Sequence, residues 1–114
     1  MPYISINTSR DLNNSNMEKI KAEIGRLISI IPTKTEEHTM IDFSGSRTFY
    51  KAGKPIDGAF VEVRLFRKSE FEPKKKFTEE VLAMLGKELD IKEENFNLNI
   101  LEFENWGSGG TYRS

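Results

Sequence analysis

The stretch Ala59–Phe66, AFVEVRLF in one-letter code, is the strongest strand signal in the sequence. Its odd-numbered positions are all aliphatic, whereas its even-numbered positions carry two phenylalanines, a glutamate and an arginine. Because successive side chains of a strand point to opposite faces of a sheet, this alternation predicts one apolar face and one mixed face. The apolar face needs a covering layer, which the neighbouring segments provide.

The segment that follows this strand has helical periodicity. Apolar residues recur at three- and four-residue spacing, which predicts an amphipathic helix, and Pro73 suits a position near its start. A last strand is predicted at Phe96–Phe103, followed by a loose, glycine-rich tail at residues 106–110. The apolar stripe of the helix consists of Phe77, Val81, Met84, Leu85 and Leu89.

The segments that precede the strand follow the same plan. Tyr3–Thr8 alternates apolar and small polar residues, as a half-buried strand does. A helix is predicted over residues 17–31, ended by Pro32, and a strand over residues 39–43. The apolar stripe of this helix consists of Met17, Ile20, Ile24, Leu27, Ile28 and Ile31.

The order strand–helix–strand thus occurs twice, which predicts a fold of the α/β (α+β) class. We expect one domain over residues 1–114, built from two repeats at about 2–56 and 57–105. Right-handed crossovers would make the strands of each repeat parallel neighbours, with both helices on one face of a mixed, four-stranded sheet. The mixed face of the 59–66 strand is then left uncovered, so we expect other subunits to cover it in a closed oligomer.

The composition excludes several classes of function. Seventeen basic against eighteen acidic residues give a net charge of −1, which predicts no nucleic-acid or membrane partner. No apolar stretch approaches membrane-spanning length, and residues 1–15 contain no signal-like apolar region, so a cytoplasmic location is expected. The absence of cysteine excludes disulfides, thiolate metal sites and cysteine nucleophiles. His38, the one histidine, cannot build a metal site alone and is interpreted as a surface residue.

Pro2 is the first candidate for chemistry. Removal of Met1, which is common before a small residue, would leave the proline nitrogen as a secondary amine. Burial in an apolar pocket would lower the pKa of this amine, so that it could take a proton alpha to a carbonyl. A proline after an initiating methionine is common in itself; its position directly at the start of a strand favours the functional interpretation.

Lys34 is the second candidate, on the loop between the first helix and the second strand. Its ammonium could bind a substrate carboxylate, although a solvated loop lysine has the same sequence pattern. The basic triplet at residues 74–76 is interpreted as a solvated face. Near the tail, Phe103, Trp106 and Tyr112 could line an apolar pocket or simply pack together.

Taken together, these segments resemble a known family. MPYISINT at residues 1–8 resembles the start of macrophage migration inhibitory factor and its bacterial relatives, in the tautomerase superfamily. IPTKTE at residues 31–36 is similar to the segment that carries the family's active-site lysine. Residues 53–66 and 91–102 resemble its third and last long strands, so the resemblance covers essentially the whole chain.

This resemblance implies a homotrimer around a central channel, with active sites between subunits. It implies a cofactor-independent keto–enol tautomerase acting on a 2-keto acid such as a phenylpyruvate-like substrate. Pro2 would be the general base, while Lys34 and the N–H of Phe66 would hold the carboxylate or polarise the oxygen. No metal or cofactor is implied.

The resemblance also implies secondary site residues. Asn99 would come from the neighbouring subunit, Trp106 would line the pocket, and Arg10 would bind a second carboxylate as in smaller family members. Glu62 and Arg64 would pair in the interior of the trimer.

The chain departs from the family at two places, and two alternatives stay open. Asn97 replaces a site tyrosine, so activity toward phenylpyruvate-type substrates is expected to be weaker or redirected. The segment at residues 58–61 replaces a Cys-x-x-Cys motif, which removes a thiol oxidoreductase role. One alternative is a hydratase or dehalogenase that uses Glu102 or Glu104 to activate water. The other is a non-catalytic trimeric binding protein, which the Asn97 departure supports.

Overall fold

The computed structural model describes residues 1–114 and contains eight strands and two α-helices. Short 3₁₀ turns lie at Ile28–Ile30, Glu36–His38 and Glu93–Asn95. In chain order the elements are β1 (Tyr3–Thr8), α1 (Asn14–Leu27), β2 (Met40–Ser44), β3 (Phe49–Lys51), β4 (Lys54–Ile56), β5 (Ala59–Phe66), α2 (Phe71–Leu89), β6 (Phe96–Phe103), β7 (Trp106–Ser108) and β8 (Thr111–Arg113).

The main sheet has four strands in the order β2-β1-β5-β6. β1 pairs with β2 in parallel, as β5 does with β6, whereas β1 and β5 are antiparallel with Tyr3 opposite Arg64. Two β-α-β units therefore lie side by side and run in opposite directions. This arrangement confirms the predicted duplicated fold with its mixed, four-stranded sheet.

The core lies between the sheet and the two helices. The odd-numbered residues of β5 are buried together with Ile4 and Ile6 of β1. These side chains pack in one cluster with residues from both helices, such as Ile24 of α1 and Phe77 of α2. Both helices thus cover the same face of the sheet, as the alternation in β5 predicts.

Helix α1 begins three residues before its predicted start. The side chain of Asn13 accepts a hydrogen bond from the Asn16 N–H, and the Asn16 side chain accepts one from the Asn13 N–H. This reciprocal capping box satisfies two N–H groups that would otherwise lack partners at the helix start. The helix ends at Leu27, and a 3₁₀ turn follows it before Pro32.

Two short hairpins were not predicted. β3 and β4 form one, and β7 and β8 form the other, so residues 106–110 are part of a hairpin and not a loose tail. Gly109 and Gly110 both adopt positive φ, which glycine tolerates and which closes the tight turn between β7 and β8.

The opposite face of the sheet carries no helix. Phe60, Leu101 and Phe103 are 36%, 48% and 40% exposed there. Glu62 and Arg64 are not paired with each other in one chain: Glu62 accepts a hydrogen bond from Asn7, and the Arg64 guanidinium lies over the Tyr3 ring. Neither helix is long and apolar enough to cross a membrane.

The packing of the core predicts that two phenylalanines of α2 contribute very differently to the free energy of unfolding. Phe77 is fully buried and Phe71 is 67% exposed. Phe77→Ala should lower the free energy of unfolding by about 3–5 kcal/mol, because it leaves a cavity between helix and sheet. Phe71→Ala should change it little, and urea denaturation of both variants measures the difference. Similar losses in the two variants would contradict this account of the core.

Candidate active site

Most of the candidate site residues lie at one end of the sheet. Because β1 and β2 are parallel and β5 is antiparallel to β1, the starts of β1 and β2 lie beside the ends of β5 and β6. The Met40 N–H donates to the Pro2 carbonyl at 3.0 Å, and the Arg67 N–H donates to the Phe103 carbonyl at 2.7 Å. At this end lies a cleft of about 590 Å³, lined by residues that include Pro2, Lys34 and Phe66.

Lys34 is held in the cleft by the turn that follows the 3₁₀ segment at Ile28–Ile30. The Lys34 N–H donates to the Ile31 carbonyl at 3.1 Å, and Thr33 adopts positive φ. The lysine is only 8% exposed, and its ammonium donates to the Phe66 carbonyl at 2.7 Å. It forms no ion pair with a carboxylate. Since an ammonium has three N–H donors, two remain for a ligand.

The surroundings of Lys34 change its pKa in opposing directions. Burial lowers the pKa of Lys34, the charge of Glu102 raises it, and the charge of Arg67 lowers it. The net effect is a lowered pKa, because taking the ammonium out of water disfavours its charged form.

Pro2 is buried at the start of β1 and follows Met1, which also lines the cleft. Burial, followed by the positive charges of Lys34 and Arg113, lowers the pKa of the Met1 amino group. An amine at this position is therefore neutral at lower pH than an ordinary chain terminus.

An aromatic wall lies beside these residues. The Trp106 ring lies 6.2 Å from that of Phe66 and 6.1 Å from that of Phe103. Trp106 also lines a second depression of about 480 Å³, together with Pro2 and Met40. The structure thus brings Pro2, Lys34, Phe66 and Trp106 to one place, whereas Tyr112 is 75% exposed and lines neither depression.

Asn99 does not line the cleft in a single chain. It lies opposite Glu62 in the middle of the sheet, exposed on the face without helices. The contribution expected of Asn99 would therefore require a second copy of the chain.

Arg10 lies at the other end of the sheet from Pro2, separated by β1, which spans roughly 20 Å at about 3.4 Å per residue. Its guanidinium donates to the main-chain carbonyls of Leu89 and Asp90 at 3.0 and 2.6 Å and lies 3.2 Å from the Asp57 carboxylate. The expectation that Arg10 joins the site is not met within one chain. Instead Arg10 caps the C-terminal end of α2, where a cation is favourable.

Both carboxylate oxygens of Glu102 have hydrogen-bond partners within the chain. Its carboxylate accepts hydrogen bonds from the Lys74 ammonium at 2.8 Å and the Ser69 N–H at 2.6 Å. Burial opposes ionisation, yet these two donors hold the pKa of Glu102 below its usual range. Lys74 is thus largely buried in an ion pair and is not part of a solvated face. Glu104 is exposed beyond the end of β6.

Sequence reasoning missed several residues of the cleft, among them His38, Arg67 and Arg113. For His38 a signal existed, because it lies two residues before β2, and parallel pairing places the start of β2 beside Pro2. Arg67 directly follows β5, whose end meets the start of β1 by the same pairing. Arg113 had no such signal, since the hairpin that carries it was not predicted.

No group of three or more His, Asp or Glu side chains is arranged to hold a metal ion, and no cysteine is present.

No protein-family model and no curated protein matches the sequence. Solved structures do match. MIF2 of Leishmania major superposes with a TM-score of 0.91 at 22% identity, over 98% of this chain and 97% of that one. A macrophage migration inhibitory factor-like protein of Entamoeba histolytica gives a TM-score of 0.82 at 19% identity, over 97% of each chain. The chain has the macrophage migration inhibitory factor fold.

A further matching crystal structure is that of a protein inactivated by 2-oxo-3-pentynoate. It superposes with a TM-score of 0.83 at 13% identity, over 95% of this chain and 93% of that one. A shared fold does not by itself assign an activity, so the roles of residues are argued from the site.

The opposing effects on Lys34 predict two pKa changes of opposite sign. Glu102→Gln removes a negative charge and should lower the pKa of Lys34 further, whereas Arg67→Gln removes a positive charge and should raise it. Titration of the Lys34 side chain by carbon-13 NMR measures both changes. Shifts of the same sign in the two variants would contradict the electrostatic account.

Proposed function

We propose that this protein is a cofactor-independent keto–enol tautomerase that acts on a 2-keto acid, with Pro2 as general base once Met1 is removed. The neutral amine of Pro2 takes the proton alpha to the carbonyl, and the C–H electron pair forms the enolate. Returning the proton to oxygen gives the enol, and the reverse sequence gives the keto acid.

Lys34 has two roles in this proposal. Its ammonium binds the carboxylate of the substrate and stabilises the negative charge that develops on the neighbouring oxygen. The Phe66 N–H is the second donor. Successive N–H groups of a strand point to alternate sides. Because the Arg67 N–H points to β6, the Phe66 N–H points the other way, toward the start of β1.

The observation that carries the proposal is the state of Lys34. A lysine that is 8% exposed and bonded only to a main-chain carbonyl is poorly compensated for the water it has lost. A substrate carboxylate would complete its coordination, directly beside buried Pro2. The inactivation of a protein of the same fold by a 2-oxo carboxylate agrees with this substrate class.

The alternative chemistries have less support. A hydratase or dehalogenase needs a carboxylate free to activate water, but both oxygens of Glu102 are engaged by Lys74 and Ser69. Glu104 is exposed and lines neither depression. A non-catalytic binding protein would keep the cleft and lose proton transfer. The experiment on Pro2 distinguishes such a binding protein from a tautomerase.

The Pro2 proposal predicts a specific pH dependence. Mass spectrometry first identifies protein that lacks Met1, and deuterium exchange at C3 of a 2-keto acid then measures activity. Only the neutral amine is a base, so activity should rise with pH through the pKa of the Pro2 amine. We expect burial to lower that pKa, as it lowers the pKa of the Met1 amino group in the same cleft.

The matched control is protein that retains Met1 or carries an alkylated amine. Its exchange rate should fall to background, while Pro2→Ala, which keeps a free primary amine, should retain a reduced rate. Equal rates in blocked and free protein would show that Pro2 is not the base. Background rates in both would favour the binding-protein alternative.

We also propose that the chain forms a homotrimer through the face of the sheet that carries no helix. Phe60, Leu101 and Phe103 are exposed on this face, and burial of apolar surface is the dominant favourable contribution to most protein association. Light scattering should report a trimer, and Leu101→Lys should dissociate it. Phe71→Lys, at an exposed position of α2, is the control and should leave the trimer intact. A stable monomer at micromolar concentration would overturn the proposal.

A further inference from the structure

A groove of about 390 Å³ lies along α2, and no residue that lines it also lines the cleft beside Pro2. We call it the α2 groove. The even-numbered residues of β6 face the helices, so the groove and the proposed trimer surface lie on opposite sides of the sheet. The α2 groove is lined by Glu79, Leu82, Ala83 and Gly86 of α2 and by Ile91, Glu93 and Phe96 of the segment that follows.

The floor of the α2 groove is apolar. Ile91 and Phe96 are only 6% and 8% exposed, and Leu82 packs against the core. The four residues that α2 contributes are three or four positions apart, so they form one continuous stripe along the helix. A concave apolar surface of this volume with a few polar groups at its edge is typical of a site for a small molecule.

Gly86 gives the groove its depth. A Cβ atom at this position would lie 3.4 Å from the Ile91 carbonyl oxygen and 3.6 Å from the Phe96 ring, which are ordinary contact distances. Gly86 does not have a positive φ either, so neither packing nor backbone conformation requires glycine here. Glycine within a helix is less favourable than alanine. What this glycine provides is open space above Phe96.

The charged residues that line the α2 groove are both acidic. They are Glu79 and Glu93, and no basic residue lines it. Glu93 takes part in none of the five ion pairs of the chain. Glu79 lies 3.0 Å from the Lys75 ammonium, in a pair whose side chains are both at least half exposed. Such an exposed pair contributes little, so a ligand cation can compete with Lys75 for the Glu79 carboxylate.

We propose that the α2 groove binds a small organic cation with an apolar body, of the arylalkylammonium class. The apolar body lies on Ile91 and Phe96, and the ammonium group binds the carboxylates of Glu79 and Glu93. An anionic ligand is repelled by both carboxylates, the opposite of the preference expected at Lys34. The inference does not depend on the proposed function, because no residue of the cleft takes part in it.

Three probes that differ in charge test the inference. The probes 2-phenylethylammonium, 2-phenylethanol and 3-phenylpropionate carry the same ring on a short chain that ends in a positive, a neutral and a negative group. NMR titration of nitrogen-15-labelled protein at fixed ionic strength gives each dissociation constant from the amide signals of Ala83 and Gly86. The ammonium ion should bind about fivefold more tightly than the alcohol, the effect of a partly exposed charge contact. The propionate should bind more weakly than the alcohol.

Three variants assign the binding to the groove. Glu93→Gln should reduce the preference for the ammonium ion and leave the affinity for the alcohol unchanged. Gly86→Leu, which fills the groove with a side chain, should abolish binding of both. Glu80→Gln is the matched control, because Glu80 is an exposed residue of the same helix that does not line the groove. It should change neither affinity.

Equal affinity for the ammonium ion and the alcohol would overturn the inference, as would a preference for the ammonium ion that persists in both Glu79→Gln and Glu93→Gln. Amide signals of the groove that shift with protein concentration alone would also overturn it, since a second copy of the chain would then occupy the groove. Loss or absence of tautomerase activity changes none of these outcomes, so failure of the two proposals is distinguishable.

Discussion

The antiparallel pairing of β1 with β5 determines where the candidate active site of this protein lies. With Tyr3 opposite Arg64, the residue before β1 meets the residues that end β5. Parallel pairing within each β-α-β unit then adds the start of β2 and the end of β6 to the same place. A shift of one residue in the β1–β5 register would turn the apolar side chains of β1 away from the helices, so the register that builds the core also builds the cleft.

The cleft contains a feature that fold stability does not require. Burying a lysine is unfavourable, and the only hydrogen bond that the Lys34 ammonium makes is to the Phe66 carbonyl. Its most effective electrostatic support is indirect, from a carboxylate at Glu102 that Lys74 and Ser69 hold in place. A poorly compensated cation supported in this way is typical of a functional site, where an optimum for binding is achieved at the expense of stability.

Periodicity predicted the architecture because both helices and the four strands of the main sheet turn a buried or half-buried apolar face toward one core. The two hairpins were not predicted, because strands of three residues are too short to show a period.

Four site residues could be named from the sequence, because each follows from chemistry or from the resemblance: Pro2, Lys34, Phe66 and Trp106. The strand topology then brings them to one end of the sheet. Arg67 could have been found from its position directly after β5, whose end meets the start of β1. Arg113 could not, because it lies in a hairpin that the sequence did not predict. Arg10 was assigned to the site from the resemblance to smaller family members, and strand length places it at the opposite end of the sheet from Pro2 in one chain.

The two ends of the sheet use the same residue type for different purposes. Arg10 has its guanidinium satisfied by two main-chain carbonyls and by the carboxylate of Asp57, so it joins the end of β1 to the end of α2 and leaves little capacity for a ligand. At the opposite end the Arg67 guanidinium donates to the Ser114 main-chain oxygen, and that of Arg113 donates to the Ser108 hydroxyl. A structural arginine consumes its donors within the fold, whereas one that serves a ligand keeps its charge unpaired. By the same criterion Lys34, which forms no ion pair and lines the cleft with Pro2, is a better candidate than Arg10 to hold a substrate carboxylate.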